Sequence, residues 1–225
     1  MWIGDQSLRG SRFLYWCSLL CIFSGAIAVA SCMYICADAH VYQALQNCRL
    51  NSAIAAGVQP AGEEYQSSVP TNTTAGSAIG RLEVPRLALS VVVLEGDDPK
   101  TLRRGAGRIP GTARPGQPGN LAIAGHRDTF FRLLRGIRTD DVIRLTTPNG
   151  SFVYQVQSVR VVAPTQTEVL ASIPQQTLTL ITCYPFLYVG HAPNRFVVIA
   201  QKVSSSSKPA VGDLPAALEF RPATN

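Results

Sequence analysis

From residue 80 onward the chain is short of the residues that usually mark metal, cofactor or disulfide chemistry. It holds one cysteine, Cys183, and two histidines, His126 and His191. A lone cysteine has no partner to staple it, and one cysteine with two scattered histidines lacks the ligand spacing of a zinc site. The glycine-rich stretch GAGRIPG, Gly105 to Gly111, fails as a phosphate loop because Pro110 stands where the third glycine is needed and no proper strand and helix flank it. There is no internal repeat. Charge is scarce as well: 15% of residues are charged while 46% are hydrophobic, which is apolar for a soluble domain.

That excess is concentrated at Phe13 to Ala37, a run of 25 residues without a charge. About 20 apolar residues suffice to cross a bilayer, so the run predicts a transmembrane helix at 13–37. A cleaved signal peptide is the competing reading, but its apolar region is shorter, roughly 7 to 15 residues. Arg9 and Arg12 precede the run and Asp38 and His40 follow it, which places residues 1–12 in the cytoplasm and the rest outside. Cys17, Cys21, Cys32 and Cys36 read as small packing residues of the span. Cys48 lies just beyond it, and a Cys48–Cys183 disulfide is disfavoured on geometry. Residues 38–79 read as stalk and linker, with Val41 to Ile54 continuing the helix and a Pro, Gly and Thr-rich spacer after it. The sequons at Asn72 and Asn149 carry weight only in a glycosylating pathway.

Strand-like text fills 80–203. Arg81–Pro85, Ala88–Leu94, Asn120–Ala124, Val142–Thr147, Phe152–Val162, Thr177–Cys183 and Arg195–Val203 are the candidates, with short helices at Pro99–Arg104, Thr129–Arg135 and Glu168–Ser172. The PNGS segment joins two of these strands as a hairpin. Seven or eight short strands with one-turn or two-turn helices between them predict a mainly β fold, a closed or nearly closed barrel. Residues 204–225 read as a disordered tail. Residues 81–203 hold 15 Lys and Arg against 8 Asp and Glu, a net of +7. Outside the cytoplasm such a face meets anionic lipid or wall polymer rather than nucleic acid, and a solvated face with no partner is its simplest reading.

The most informative stretch is TLTLITCYPFLYVGHAPNR, Thr177 to Arg195. One β-type run ends at Cys183, another begins at Arg195, and the turn-formers between them predict an antiparallel hairpin with a long loop. Its geometry brings Cys183 and Arg195 to one edge of the sheet. A thiol becomes a nucleophile beside positive charge or an imidazole, and His126, at the end of its own strand, is the imidazole available. From spacing alone a catalytic set competes with a buried inert cysteine and a surface histidine. His191 either touches substrate from the loop or is simply exposed. Asp128 and Thr182 are possible supporting residues, with helix N-cap for Asp128 and ordinary strand residue for Thr182 as the plainer readings.

These residues carry a resemblance. Thr179 to Cys183 contain a Thr-Leu-x-Thr-Cys pattern with an arginine on the next strand, and GRIPGTARPGQPGNLAIAGHRDTFFRLL is similar to the segment around the histidine of the same family, the sortases. The three motifs arrive in order, and the similarity spans Gly80 to about Val203. The resemblance implies an eight-stranded sortase barrel as the catalytic domain, 80–203, behind an N-terminal anchor. It further implies a cysteine transpeptidase in which Cys183 attacks a threonine carbonyl in the C-terminal sorting motif of a secreted protein and forms a thioacyl-enzyme. His126 would be general acid and then base, and Arg195 would hold substrate and oxyanion. The acceptor would be an amine of cell wall or pilin. No cofactor is implied; some sortases use calcium, but the acidic cluster for it is not evident. Tyr184, Pro185 and Phe186, with Ala192 to Phe196, look most like class D, and the absence of a second span and of a lid segment disfavours class C. An anchored hydrolase passing the acyl group to water, and a non-catalytic envelope binding module, remain as alternatives.

Overall fold

The computed structural model describes residues 5–57, 74–171 and 173–203. Most of the spacer and the tail expected at 204–225 lie outside them. An eight-stranded closed barrel follows one long helix, α1, at Asp5–Gly57. The strands are β1 (Ala78–Val84), β2 (Leu89–Glu95), β3 (Ala106–Arg108), β4 (Asn120–Ala124), β5 (Val142–Thr147), β6 (Gly150–Val162), β7 (Thr177–Tyr184) and β8 (Asn194–Lys202). A short helix, α2 (Pro99–Arg104), precedes β3, and single 3-10 turns stand at Pro85–Leu87, Arg132–Gly136 and Thr167–Leu170. Around the barrel the order is β1-β2-β3-β4-β7-β8-β6-β5, with β2–β3 and β4–β7 parallel and the other pairs antiparallel. The mainly β barrel expected from the strand count is present.

The period of two sorts side chains into an inside and an outside. Leu121 and Ile123 of β4, Leu178 and Leu180 of β7, and Phe196, Val198 and Ala200 of β8 join the core, and an eight-stranded barrel is narrow enough for side chains to fill it. Strands β2, β4 and β7 are buried on both faces, and each has a cover. The β6–β7 connection lies over β4 and β7, pinned where Asn120 Nδ2 donates to the Val169 carbonyl at 2.9 Å and Thr179 Oγ1 donates to Asn120 Oδ1 at 2.7 Å. Strand β2 turns Val91 and Val93 inward, while Val92 and Leu94 pack outward against Leu50 of α1, with Tyr42 beside them.

Beyond its apolar part, α1 therefore lies against the barrel. Gln43 inserts its amide between β2 and the end of α2: its Oε1 accepts from Val92 N–H at 3.0 Å and its Nε2 donates to the Arg104 carbonyl. Tyr42 OH donates to the Gly76 carbonyl, Arg104 pairs with Asp38 and sits over the Tyr42 ring, and Arg81 donates to Asn51. The Asp38 contact holds the Arg104 pKa above its ordinary value. Close approach explains two glycines of the rejected phosphate-loop pattern. A Cβ on Gly105 would stand 2.7 Å from the Val92 carbonyl oxygen, and one on Gly107 only 2.1 Å from that of Gly96. Where β2 ends, a buried Arg108–Glu95 ion pair joins it to β3.

Two local expectations change, and the disfavoured Cys48–Cys183 disulfide is absent. Thr129–Arg135 forms a single 3-10 turn at Arg132–Gly136, and Asp128 caps no helix: the residue before that turn is Phe131, without a side-chain cap. Cys48 and Cys183 are both free thiols.

Candidate active site

Cys183 pairs directly with Arg195 across the antiparallel β7–β8 ladder. Directly opposed residues have Cβ atoms about 5 Å apart. Both belong to the outward-facing set of their strands, because Thr182 and Phe196, one residue away on each, are buried. On the other side of β7, the parallel register matches Ala122 with Thr179 and Ala124 with Ile181, so its next same-face step matches His126 with Cys183. The ladder does extend that way: Gly125 N–H donates to the Ile181 carbonyl at 3.1 Å, and Thr182 Oγ1 donates to the Gly125 carbonyl at 2.7 Å. On that register His126, two residues beyond β4, stands in one row with Cys183 and Arg195, with the thiol in the middle.

All three are half-buried. The imidazole of His126 makes no hydrogen bond among the described residues. Arg195 Nη1 donates to the carbonyls of Ala192 at 3.3 Å and Asn194 at 3.0 Å, which fixes the guanidinium and leaves Nε and Nη2 free. A thiol flanked by an unengaged imidazole and an oriented guanidinium is a set of groups suited to acyl transfer: a nucleophile, a proton carrier and a donor for an oxyanion.

What holds the row in place is partly what the sequence singled out and partly new. Thr182 ties β7 to the turn that carries His126. The ring of Phe131 lies against Gly125, where a Cβ would come within 2.7 Å of it, so this turn requires a glycine. Tyr184, Phe186 and Phe196 form an aromatic cluster beside the row, with ring centroids 5.0 to 6.2 Å apart. Arg127 was not anticipated. Its guanidinium donates to three carbonyls of the β7–β8 loop, Pro185 at 3.0 Å, Tyr188 at 2.8 Å and Gly190 at 3.1 Å, and lies over the Tyr188 ring. The sequence signal was an arginine beside the histidine and a loop rich in Pro and Gly, but only the fold brings the two together. Asp128 and His191 are exposed and make no hydrogen bond among the described residues.

From Cys183 the outward face of the sheet continues through Ile181 and Thr179 to Thr177, beside Ala124, Ala122 and Asn120 of β4 and Val197 and Ile199 of β8. The β6–β7 connection overhangs its far end and encloses a cavity of about 260 Å³ against Thr177, Thr179 and Ile199. This cavity borders the same outward face of β7 that carries Cys183. No group of three or more His, Cys, Asp or Glu suited to a metal occurs among the described residues.

Residues 82–203 match the model of the sortase domain. The chain is 30% identical over 151 residues to sortase D of Bacillus subtilis, covering 67% of this chain and 76% of that protein. It is also 30% identical over 134 residues to sortase A of Bacillus anthracis, covering 58% of this chain and 62% of that one. Among solved structures, a sortase D5 transpeptidase of Clostridium perfringens superposes with a TM-score of 0.55 at 28% identity, over 59% of this chain and 83% of that one. Sortase C-1 of Actinomyces oris gives 0.53 at 28% identity, over 57% and 75%. With the barrel complete and its strands bringing the three motif residues into one row, the chain belongs to the sortase family of transpeptidases, and within that family it is class D-like.

Proposed function

We propose that α1 anchors this chain in a membrane through residues 13–37, with residues 1–12 cytoplasmic and the barrel outside. There the enzyme cleaves a C-terminal sorting motif of secreted proteins and transfers the acyl fragment to an amine of wall or pilin origin. The observation that carries the catalytic assignment is the His126–Cys183–Arg195 row. The anchor rests on the apolar stretch of α1, which has the length and composition of a span and buries none of its most apolar window in the protein.

In this mechanism the sorting peptide lies along the outward face of β7, with the scissile carbonyl over Cys183. The thiol proton passes to His126 as the sulfur attacks that carbonyl, and free donors of Arg195 take up the charge that develops on its oxygen; a guanidinium keeps its charge throughout. His126 protonates the leaving amine, so the C–N bond breaks and the acyl group remains as a thioester. The imidazole, now neutral, removes a proton from the incoming amine as that amine attacks, and thiolate departs. No step calls on a cofactor.

The deciding experiment is mass spectrometry of the purified full chain incubated with a library of threonine-containing sorting peptides, with and without an amine. A peptide adduct on Cys183 that converts to an amine-linked product is expected, and no adduct in Cys183→Ala. An adduct that yields only acid at every amine concentration makes the enzyme a hydrolase. If no adduct forms and a thiol reagent also leaves Cys183 of the folded protein unlabelled, Cys183 is a packing residue and the reading fails. Arg195→Lys, which keeps charge but loses the planar fork, is expected to lower kcat by about 100-fold, the scale of one lost oxyanion donor.

A further inference from the structure

On the other side of His126 from Cys183 lies a second cavity, of about 460 Å³, which the mechanism above leaves unused. Its walls come from three places in the chain: His40 and Gln43 of α1, Arg103 of α2, and His126, Asp128 and Phe130 after β4. α2 leads into β3, which borders β4 on the edge away from β7. His126 therefore stands between the face of β7 that carries Cys183 and this cavity.

The ionisable side chains around it are uncommitted. His40, Arg103, His126 and Asp128 make no hydrogen bond or ion pair among the described residues. The contrast within one dipeptide is informative: Arg104 is spent on docking α1, through Asp38 and the Tyr42 ring, while Arg103 stays exposed at the mouth of the cavity. Gln43 forms wall only, since both ends of its amide are satisfied by backbone. The place of the cavity along α1 is also defined. Read back from Asn51, the helix touches Arg81 of β1, then Val92 of β2, then Arg104, and reaches the cavity at His40. Three residues further back, Ala37 closes the charge-free run. The cavity thus lies where the proposed anchor leaves the barrel.

We infer that this cavity is the acceptor site and that it takes a primary amine carrying an anionic group, a carboxylate or a phosphate, within the span of a short peptide or a lipid headgroup from the nitrogen. The inference rests on the assignment of His126 and Cys183 above. Asp128 and His126 draw the amine end inward. Arg103 receives the anion, since a guanidinium offers carboxylate and phosphate a matched pair of donors, and an N–H of His40 adds a further donor. The amine, having given its ammonium proton to water on entry, then attacks the thioester carbonyl. A C–N bond forms, the surplus N–H proton passes to neutral His126, the C–S bond breaks and Cys183 leaves as thiolate; nothing is oxidised or reduced. Two sources present such an amine: a soluble or wall peptide with its own carboxylate, and a membrane lipid whose headgroup amine stands beside its phosphate.

The test uses the full chain in phosphatidylcholine nanodiscs with an acyl-donor peptide that labels Cys183, and reads by mass the ratio of amide to hydrolysed product. Three acceptor arms are compared: triglycine, triglycinamide, and nanodiscs containing phosphatidylethanolamine. Triglycine is expected to exceed triglycinamide by about tenfold, on the scale of one charge-assisted contact. Arg103→Glu is expected to erase that preference and His40→Ala to weaken it, with thioester formation and hydrolysis unchanged in both; Arg103→Lys retains part of it. Product on phosphatidylethanolamine identifies the lipid as a source, and product on triglycine alone identifies a peptide. Equal partition to triglycine and triglycinamide, or an unchanged ratio in Arg103→Glu, overturns the acceptor site while leaving the transpeptidase reading intact. Absence of amide in every arm with hydrolysis intact overturns it also. Failure of the wild-type chain to form a thioester with any donor defeats the underlying assignment and this inference together.

Discussion

A single hydroxyl couples the nucleophile's strand to the histidine's turn. Thr182 is buried at 2% exposure, and its one hydrogen bond reaches the Gly125 carbonyl, the residue before His126. Valine has nearly the same shape and leaves that carbonyl unpaired, at about 1–3 kcal/mol. Thr182→Val is expected to destabilise the barrel by that amount and to lower kcat with little change in KM, whereas Thr182→Ser retains the bond and most of the rate. Urea melts and steady-state kinetics on the two variants distinguish positioning from bulk stability. Tyr154 acts at the same scale but on stability alone. Burial in the core pushes its phenol up to about 12 from an ordinary value of 10. Because the folded value is the higher one, its stabilising effect is complete below pH 10 and is lost as pH rises toward 12. Two units correspond to roughly 3 kcal/mol. Tyr154→Phe, which has no proton to lose, is expected to show a shallower fall of Tm between pH 10 and 12 than the native chain.

Among the elements, the β7–β8 loop depends most on contacts from elsewhere in the chain. Leu187 and Val189 are exposed at its tip, and its carbonyls are gathered by Arg127 from the histidine's segment. Arg127→Ala removes three charge-assisted hydrogen bonds from a loop that borders Cys183. The expected result is a rise in hydrogen exchange across residues 186–192 and a fall in kcat/KM on the order of tenfold, the equivalent of one such bond. Unchanged exchange in that loop argues against the clamp. Elements also set how much could be read in advance. β4, β7, β8 and the β5–β6 hairpin follow from alternation and turn residues, so the Cys183–Arg195 pairing and His126 at its strand end were legible. β3 was not, because three residues containing a glycine show no period; it exists through the close approach of Gly107 to Gly96. Arg127 escaped notice for a related reason, since its partners are backbone carbonyls about 60 residues away and carry no signature of their own. The N-cap expected of Asp128 failed because the helical turn begins later, after Phe131, and Asp128 is left facing the cavity at His126.

At the scale of the whole molecule, α1 from Asp38 to Asn51 packs on the barrel. The Val91–Leu94 run of β2 makes this necessary. In a barrel strand every second residue points outward, and Val92 and Leu94 would be exposed without a cover. Leu50 of α1 supplies it, and full burial of one such side chain contributes about 1.5–3 kcal/mol. The polar half of the same contact is Gln43, which satisfies the Val92 N–H and the Arg104 carbonyl where β2 and β3 have not yet joined. In Gln43→Ala both backbone groups lose their partner. The expected outcome in the full chain is faster exchange of the Val92 amide, loosening of α2, and a lower amide-to-acid product ratio because His40 no longer holds its place beside Arg103. Hydrolysis persists, since Cys183, Arg195 and the Thr182–Gly125 bond lie on the far side of β4. If Val92 stays protected in Gln43→Ala, Leu50 alone secures the helix, and the glutamine is only a wall of the cavity.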